Sequence, residues 1–160
     1  EVGGETPILN SVIETNELQP LHLVKIIRDT VGDLRGKTVG FLGLSFKPNT
    51  DDVRETRALP ILTQLIREGA RVKGYDPVAE ENFKRISSLP LEYTSSWEEA
   101  LSGSDFSVIH TDWDEIKQIK PEDFIRLLKN PLVFDGRRTY IPDSITSKGG
   151  IYRGIGWKNL

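Results

Sequence analysis

The sequence predicts an α/β fold built on a mostly parallel sheet. Strand-like apolar runs alternate with helical stretches along the whole chain. The run at residues 38–46, TVGFLGLSF, is apolar nearly throughout, as expected of a central strand buried on both faces. Glycine and proline punctuate the segments, with Gly36, Gly69, Pro77 and Pro121 falling between the periodic stretches.

The elements follow in order. Ile8, Leu9, Val12 and Ile13 recur at helical spacing, as do Val24, Ile27, Val31 and Leu34. Pro20 lies between the two sets and is expected to kink or split the helix, because it lacks an N–H and its ring opposes the preceding turn. Gly36 closes this region, and the run at 38–46 follows as the first strand. A polar loop, KPNTDDVRETR, leads into a helix, ALPILTQLIREGA, closed by Gly69. Residues 71–75 form a second strand ending at Asp76-Pro77, then comes a helix over 79–86 and a short strand at 91–94. Ser96 is a good N-cap, with Glu98 and Glu99 in the first turn of its helix. DFSVIHT is another buried strand, PEDFIRLLK a helix, LVFDGRR a strand running into a basic loop, and IYRGIGW an edge strand. The order suits a Rossmann-like parallel sheet with flanking helices. There is no internal repeat, and the expected boundary falls at Lys37, with helical residues 1–36 before it and the body at 37–160.

Bulk composition narrows the classes. A chain of 160 residues fits one domain, and 37% hydrophobic with 28% charged residues suits a globular protein. The net charge of −3 argues against a general nucleic-acid binder. No apolar run approaches the ~18 residues of a membrane helix, and EVGGETPILN has no signal-peptide pattern. Cysteine is absent, which excludes disulfides and thiolate chemistry from these residues and is compatible with the cytoplasm. Methionine is absent too, including at position 1, so the chain is expected to be a fragment or a processed product.

Three constellations could carry chemistry. The loop Phe46-Lys47-Pro48-Asn49-Thr50-Asp51-Asp52-Val53-Arg54 follows the first strand, where open α/β sheets bind ligands. Lys47 could meet a diphosphate as a point charge, with Pro48 restricting its direction. The bland alternative is a solvated loop with local ion pairs. Gly40 and Gly43 fall in the strand pattern and no G-x-G-x-x-G follows, so Asp76 reads as a strand-ending turn and not a ribose ligand. Asp135-Gly136-Arg137-Arg138 places two guanidinium groups at another strand end, suited to phosphate or to a plain charged turn. His110-Thr111-Asp112-Trp113-Asp114-Glu115 invites a metal reading, but the acids crowd one turn and His22 is distant in the chain. There is no G-x-S-x-G, and Trp97 and Trp157 read as packing residues.

The string from Leu42 to Thr56, LGLSFKPNTDDVRET, closely resembles the G-L-x-F-K-P-x-T-D-D-x-R-E-[ST] signature of the UDP-glucose/GDP-mannose dehydrogenases. The likeness continues through GARVKGYDPVA, SWEEALSGSDFSVIHTDWDEI, VFDGRR and YRGIGW, and Asn16 and Gln19 fit the N-x-x-Q of that family's central helix. The resemblance implies the carboxyl-terminal domain of an enzyme that oxidises a sugar C6 alcohol to a carboxylate with two NAD, through a cysteine thioester. An amino-terminal domain would bind most of the NAD, and the central helix would make a homodimer. By position, Phe46, Lys47 and Arg137 would contact the UDP-sugar, and Arg54 would reach the NAD of the other domain. The FKPNTDD form lies nearer the members acting on UDP-glucose than those acting on GDP-mannose. UDP-N-acetylhexosamine enzymes share much of the signature. The departures are the missing cysteine and glycine-rich loop, Pro20 in the helix, and D-G-R-R in place of D-G-R-N. A free-standing nucleotide-binding module and a ligand-free α/β domain are the other readings of the same residues.

Overall fold

The computed structural model describes residues 7–156. Six parallel strands run in the order β3-β2-β1-β4-β5-β6. They are β1 (Thr38–Leu42), β2 (Arg71–Tyr75), β3 (Leu91–Tyr93), β4 (Phe106–Ile109), β5 (Leu132–Asp135) and β6 (Ile151–Gly154). The helices are α1 (Pro7–Val31), α2 (Ala58–Arg67), α3 (Glu80–Ile86), α4 (Trp97–Leu101), α5 (Asp114–Lys117), α6 (Pro121–Leu127) and α7 (Pro142–Thr146). The chain starts in the middle of the sheet, winds outward to β3, then returns to wind outward to β6. This is the doubly wound, Rossmann-like arrangement, and its crevice opens where β1 and β4 lie side by side.

Strand pleating sorts the core into two layers. Val39 and Phe41, Phe106 and Val108, and Leu132 and Phe134 pack toward α1, α2 and α3. Leu42, Ile109, Val133 and Tyr152 pack toward α4, α5, α6 and α7. Gly40 faces the second layer, and a Cβ there would lie 2.8 Å from the Ala100 carbonyl oxygen, so α4 sits directly on the strand backbone. Ser96 caps α4 by accepting the Glu99 N–H, as the sequence predicts. Ile151–Gly154 is the edge strand expected near the end, while Trp157 lies outside the described residues.

Several expectations change. α1 is one helix through Pro20, neither split nor ended there. The turns beyond the proline are anchored by Leu23, Val24 and Ile27, all buried against the sheet, which holds the helix despite the lost N–H. Gly32, with φ +77, ends α1 by donating its N–H to Arg28 O, and Gly36 takes the turn into β1. The division expected at Lys37 does not divide the core, because Leu23, Val24, Ile27 and Leu34 share a cluster with β1. Among the four residues of the expected opening stripe, Val12 is half exposed, and the side chains of Ile8, Leu9 and Ile13 lie outside the described residues. The first strand stops at Leu42 instead of Phe46. The short helices α5 and α7 were not expected; α7 begins with Pro142 at its first turn.

The early end of β1 has a local cause. Gly43 takes φ +92, and an added Cβ would lie 2.4 Å from Thr111 Cβ and 2.5 Å from Thr111 N. No L side chain fits either the angle or the space. Gly43→Ala is therefore expected to lose about 2–4 kcal/mol of unfolding free energy, from backbone strain plus overpacking. Urea denaturation checks this, and a loss well under about 1 kcal/mol would show that the β1 turn relaxes freely.

Candidate functional site

The carboxyl ends of β1, β4 and β5 meet at the crevice. The organising group is the Asp76 carboxylate, 5% exposed, just past β2. Its Oδ2 accepts the N–H of Leu44 at 2.7 Å, the N–H of Ser45 at 3.0 Å and Trp113 Nε1–H at 3.2 Å. Its Oδ1 accepts the N–H of Val78 at 3.1 Å and of Ala79 at 2.8 Å. Five donors stabilise a carboxylate that would be costly to bury alone. The strand-ending role expected of Asp76 holds, but its reach into the β1 loop and to Trp113 exceeds it.

That carboxylate sets the start of the loop after β1, and other contacts fix the rest. Phe46 N donates to Asp52 O at 2.8 Å, pinching the segment between them into a compact turn. Asn49 and Glu55 adopt φ of 63 and 57, as the tight path demands. Thr56 Oγ1 donates to Leu44 O at 2.8 Å and accepts the Ala58 N–H at 3.2 Å, tying loop exit to loop entry and to the start of α2. The result projects Phe46, 40% exposed, and Lys47 outward. Among the described residues Lys47 makes no hydrogen bond and no ion pair.

Arg137 joins this loop to the other strands. Its Nε donates to His110 O at 2.7 Å and its Nη2 to Phe46 O at 2.9 Å. Its own N–H donates to Asp135 Oδ1 at 2.9 Å, and Asp135 Oδ2 accepts from Tyr140 N–H and Tyr152 O–H. The Arg137 guanidinium thus sits one residue from Lys47 while bound to two carbonyls and no carboxylate. Phe46, Lys47 and Arg137 are brought together.

Arg54 is not part of this group. Its Nη2 lies 2.8 Å from Asp52 Oδ2, and the contact holds the Asp52 carboxyl at about 2, well below the usual range. It faces a separate open hollow shared with Asn82 and Arg85. The acids near His110 are also dispersed: Asp112 and Asp114 face Lys117, and Glu115 accepts the Tyr75 hydroxyl at 2.7 Å. No group of three or more potential metal ligands gathers among the described residues.

Sequence reasoning passed over Thr111 and Trp113, which matter more than the acids between and after them. Thr111 Oγ1 donates to Ser45 O at 2.7 Å, and Trp113 Nε1–H donates to Ser45 Oγ at 3.1 Å. A buried polar side chain at a strand end beside a tryptophan is the signal that could have found them. Because the Thr111 proton goes to Ser45, its oxygen accepts from His110 Nδ1 at 3.0 Å, which places the imidazole proton on Nδ1. His110 Nε2 is buried without a partner among the described residues. Burial, followed by the nearby Arg137 charge, lowers the His110 pKa to about 3.

A dinucleotide does not fit this chain's own first βα turn. Such a ligand takes backbone N–H groups at the end of β1 for its pyrophosphate. Here the Leu44 and Ser45 N–H groups face the Asp76 carboxylate, which would repel phosphate.

The chain matches the UDP binding domain of the UDP-glucose/GDP-mannose dehydrogenase family over residues 40–142. It is 41% identical over 151 residues to the UDP-glucose 6-dehydrogenase YwqF of Bacillus subtilis, covering 94% of this chain and 34% of that protein. A UDP-glucose dehydrogenase structure from Pyrobaculum islandicum superposes with a TM-score of 0.79 at 32% identity, over 93% of this chain and 32% of that one. An NDP-N-acetyl-D-galactosaminuronic acid dehydrogenase from Methanosarcina mazei shares the fold, with a TM-score of 0.79 at 24% identity over 98% of this chain and 33% of that one. The chain spans about a third of the length of the curated relatives it matches.

Two outcomes follow from this geometry. In Asp76→Asn one oxygen becomes an NH2 donor facing at least two N–H groups, and each orphaned donor costs about 1–3 kcal/mol. A loss of about 3 kcal/mol or more in urea unfolding is expected, and near-wild-type stability would contradict the hub role of Asp76. For His110 the folded pKa is depressed below the ordinary 6.5, so its contribution is complete above that value and is lost as pH falls toward about 3. Between pH 6 and 5 this one group should cost about 1.4 kcal/mol per unit. The acid-side slope of stability should therefore flatten in His110→Phe, and an unchanged slope would mean that His110 is charged in the fold.

Proposed function

This chain belongs to the UDP-glucose/GDP-mannose dehydrogenase family, and from that premise we propose that it is the nucleotide-sugar-binding domain of a UDP-glucose 6-dehydrogenase. The observation that carries the proposal is the Arg137 bridge, which sets Lys47 and Phe46 on the crevice beside β4 and β5. Lys47 then meets the diphosphate as a mobile point charge, with Arg137 bracing the same ligand. Phe46 offers an apolar surface to the nucleotide sugar. The whole enzyme would convert UDP-glucose to UDP-glucuronate with NAD as oxidant. The NAD would be held mainly by an amino-terminal domain, with Arg54 reaching toward it from this one.

The thiolate needed for a thioester must also come from outside this sequence, which has no cysteine. This chain's own residues bind and orient the nucleotide sugar and help to exclude water when the two domains close. The first half of α1 would serve as the homodimer element. No helix among the described residues is long and apolar enough to cross a membrane, and we place the enzyme in the cytoplasm.

Without the second domain, UDP should bind weakly, near the millimolar scale that corresponds to about −4 kcal/mol. Titrating the chain with UDP should shift the amide resonances of residues 46–47 and 136–137 in a saturable way. Lys47→Ala should reduce affinity about tenfold without changing the melting temperature, because that side chain makes no internal bond. Saturable shifts confined to another face of the sheet, or full affinity in Lys47→Ala, would refute the assignment.

A further inference from the structure

Among the described residues Lys47 makes no hydrogen bond or ion pair, so its direction is set by the backbone that carries it. That backbone arrives as two successive planar peptide units, and both are held. In the first, the Ser45 carbonyl accepts the Thr111 hydroxyl proton at 2.7 Å, and the Phe46 N–H donates to Asp52 O at 2.8 Å. In the second, the Phe46 carbonyl accepts from Arg137 Nη2 at 2.9 Å. Two held planes fix the φ and ψ of Phe46 between them, and with those angles the point from which the Lys47 side chain starts. No donor other than Thr111 reaches the Ser45 carbonyl among the described residues.

Thr111 is itself held in place. It is fully buried, and Gly43 lies against its Cβ. Its oxygen accepts from His110 Nδ1 at 3.0 Å, which leaves the hydroxyl proton aimed at Ser45 O. The His110 carbonyl in turn accepts from Arg137 Nε at 2.7 Å. These bonds close a ring through Ser45, Phe46, Arg137, His110 and Thr111. Ser45 and Thr111 are both 0% exposed, so no water competes for the shared proton. Arg137 is a member of the ring, and Lys47 is the next residue after it in the chain. The ring therefore sets the spacing of the two positive side chains before any ligand arrives.

We propose that Thr111 is a positioning residue for the diphosphate contact. Its hydroxyl, acting through the Ser45 carbonyl, aims Lys47 at the anion that Arg137 also meets. The proposal rests on the UDP-sugar reading of this face. Thr111 is too deeply buried to touch the ligand, so its whole effect passes through the loop. Without the hydroxyl the first peptide plane is free to tilt while the second stays bound to Arg137. Lys47 then starts from several directions and has to be ordered as the ligand binds, at a cost in affinity.

The test is a double-mutant cycle on the whole chain, read as UDP affinity from the shifts at residues 46–47 and 136–137. Thr111→Val keeps the branched shape and removes the hydroxyl. It should weaken UDP binding about fivefold, and Lys47→Ala, which costs about tenfold in the unmodified chain, should cost only about twofold in its background. Thr111→Ser keeps the hydroxyl and should restore the full Lys47→Ala cost. Thr111→Cys, a weaker donor, should fall between the two, and it carries the test if the valine variant does not fold. A purely structural loss lowers the folded fraction and leaves the Lys47→Ala ratio unchanged, so the ratio separates positioning from support. A cost of about tenfold in the valine and cysteine backgrounds alike would overturn the proposal and leave the UDP reading standing. No Lys47→Ala cost in the unmodified chain would sink that reading, and this proposal with it.

Discussion

Much of this domain hangs on one buried carboxylate. Asp76 collects N–H groups from the β1 loop, from the turn before α3 and from Trp113 beyond β4. These three segments are far apart in sequence and must converge for the crevice to form. A group that joins them through five bonds sets their relative positions in a way apolar packing would not, because hydrogen bonds are directional. Arg137 can bridge Phe46 O and His110 O only because both carbonyls are already in place.

The same carboxylate separates topology from ligand. The sheet has the strand order of a dinucleotide-binding domain, and its switch point lies where that fold places a cofactor. An acid ends β2 in both cases. Here it turns inward and takes the backbone N–H groups that a pyrophosphate would need. The ligand surface we propose lies further out, on the side chains of Phe46, Lys47 and Arg137. Fold and ligand part company in the β1 loop, which lacks the glycine-rich sequence and gives its first N–H groups to a carboxylate.

The parts of the fold read most readily from sequence were those governed by local pattern. Residues 71–75, the cap at Ser96 and the glycine stop at Gly69 follow from periodicity and backbone chemistry, and the structure has them there. That Lys47 and Arg137 lie close together was legible because two loops at the carboxyl ends of strands share an edge in a parallel sheet. What could not be read were long-range partners. That Thr111 donates to Ser45, or that Gly43 must lack a Cβ because Thr111 lies beside it, depends on contacts across more than 60 residues. Pro20 misled for a related reason: its local penalty is real, but burial of Leu23, Val24 and Ile27 by distant strands outweighs it.

The place of α1 in the core bears on how this domain could be moved between proteins. A graft cut at Lys37 would follow the sheet and leave behind Leu23, Val24, Ile27 and Leu34. The transplanted piece would carry an uncovered apolar layer over Phe41 and Phe134, and its new host would have to roof it. Recombination between relatives should therefore succeed at joints upstream of Leu23, with the second half of the helix inherited together with the strands it covers.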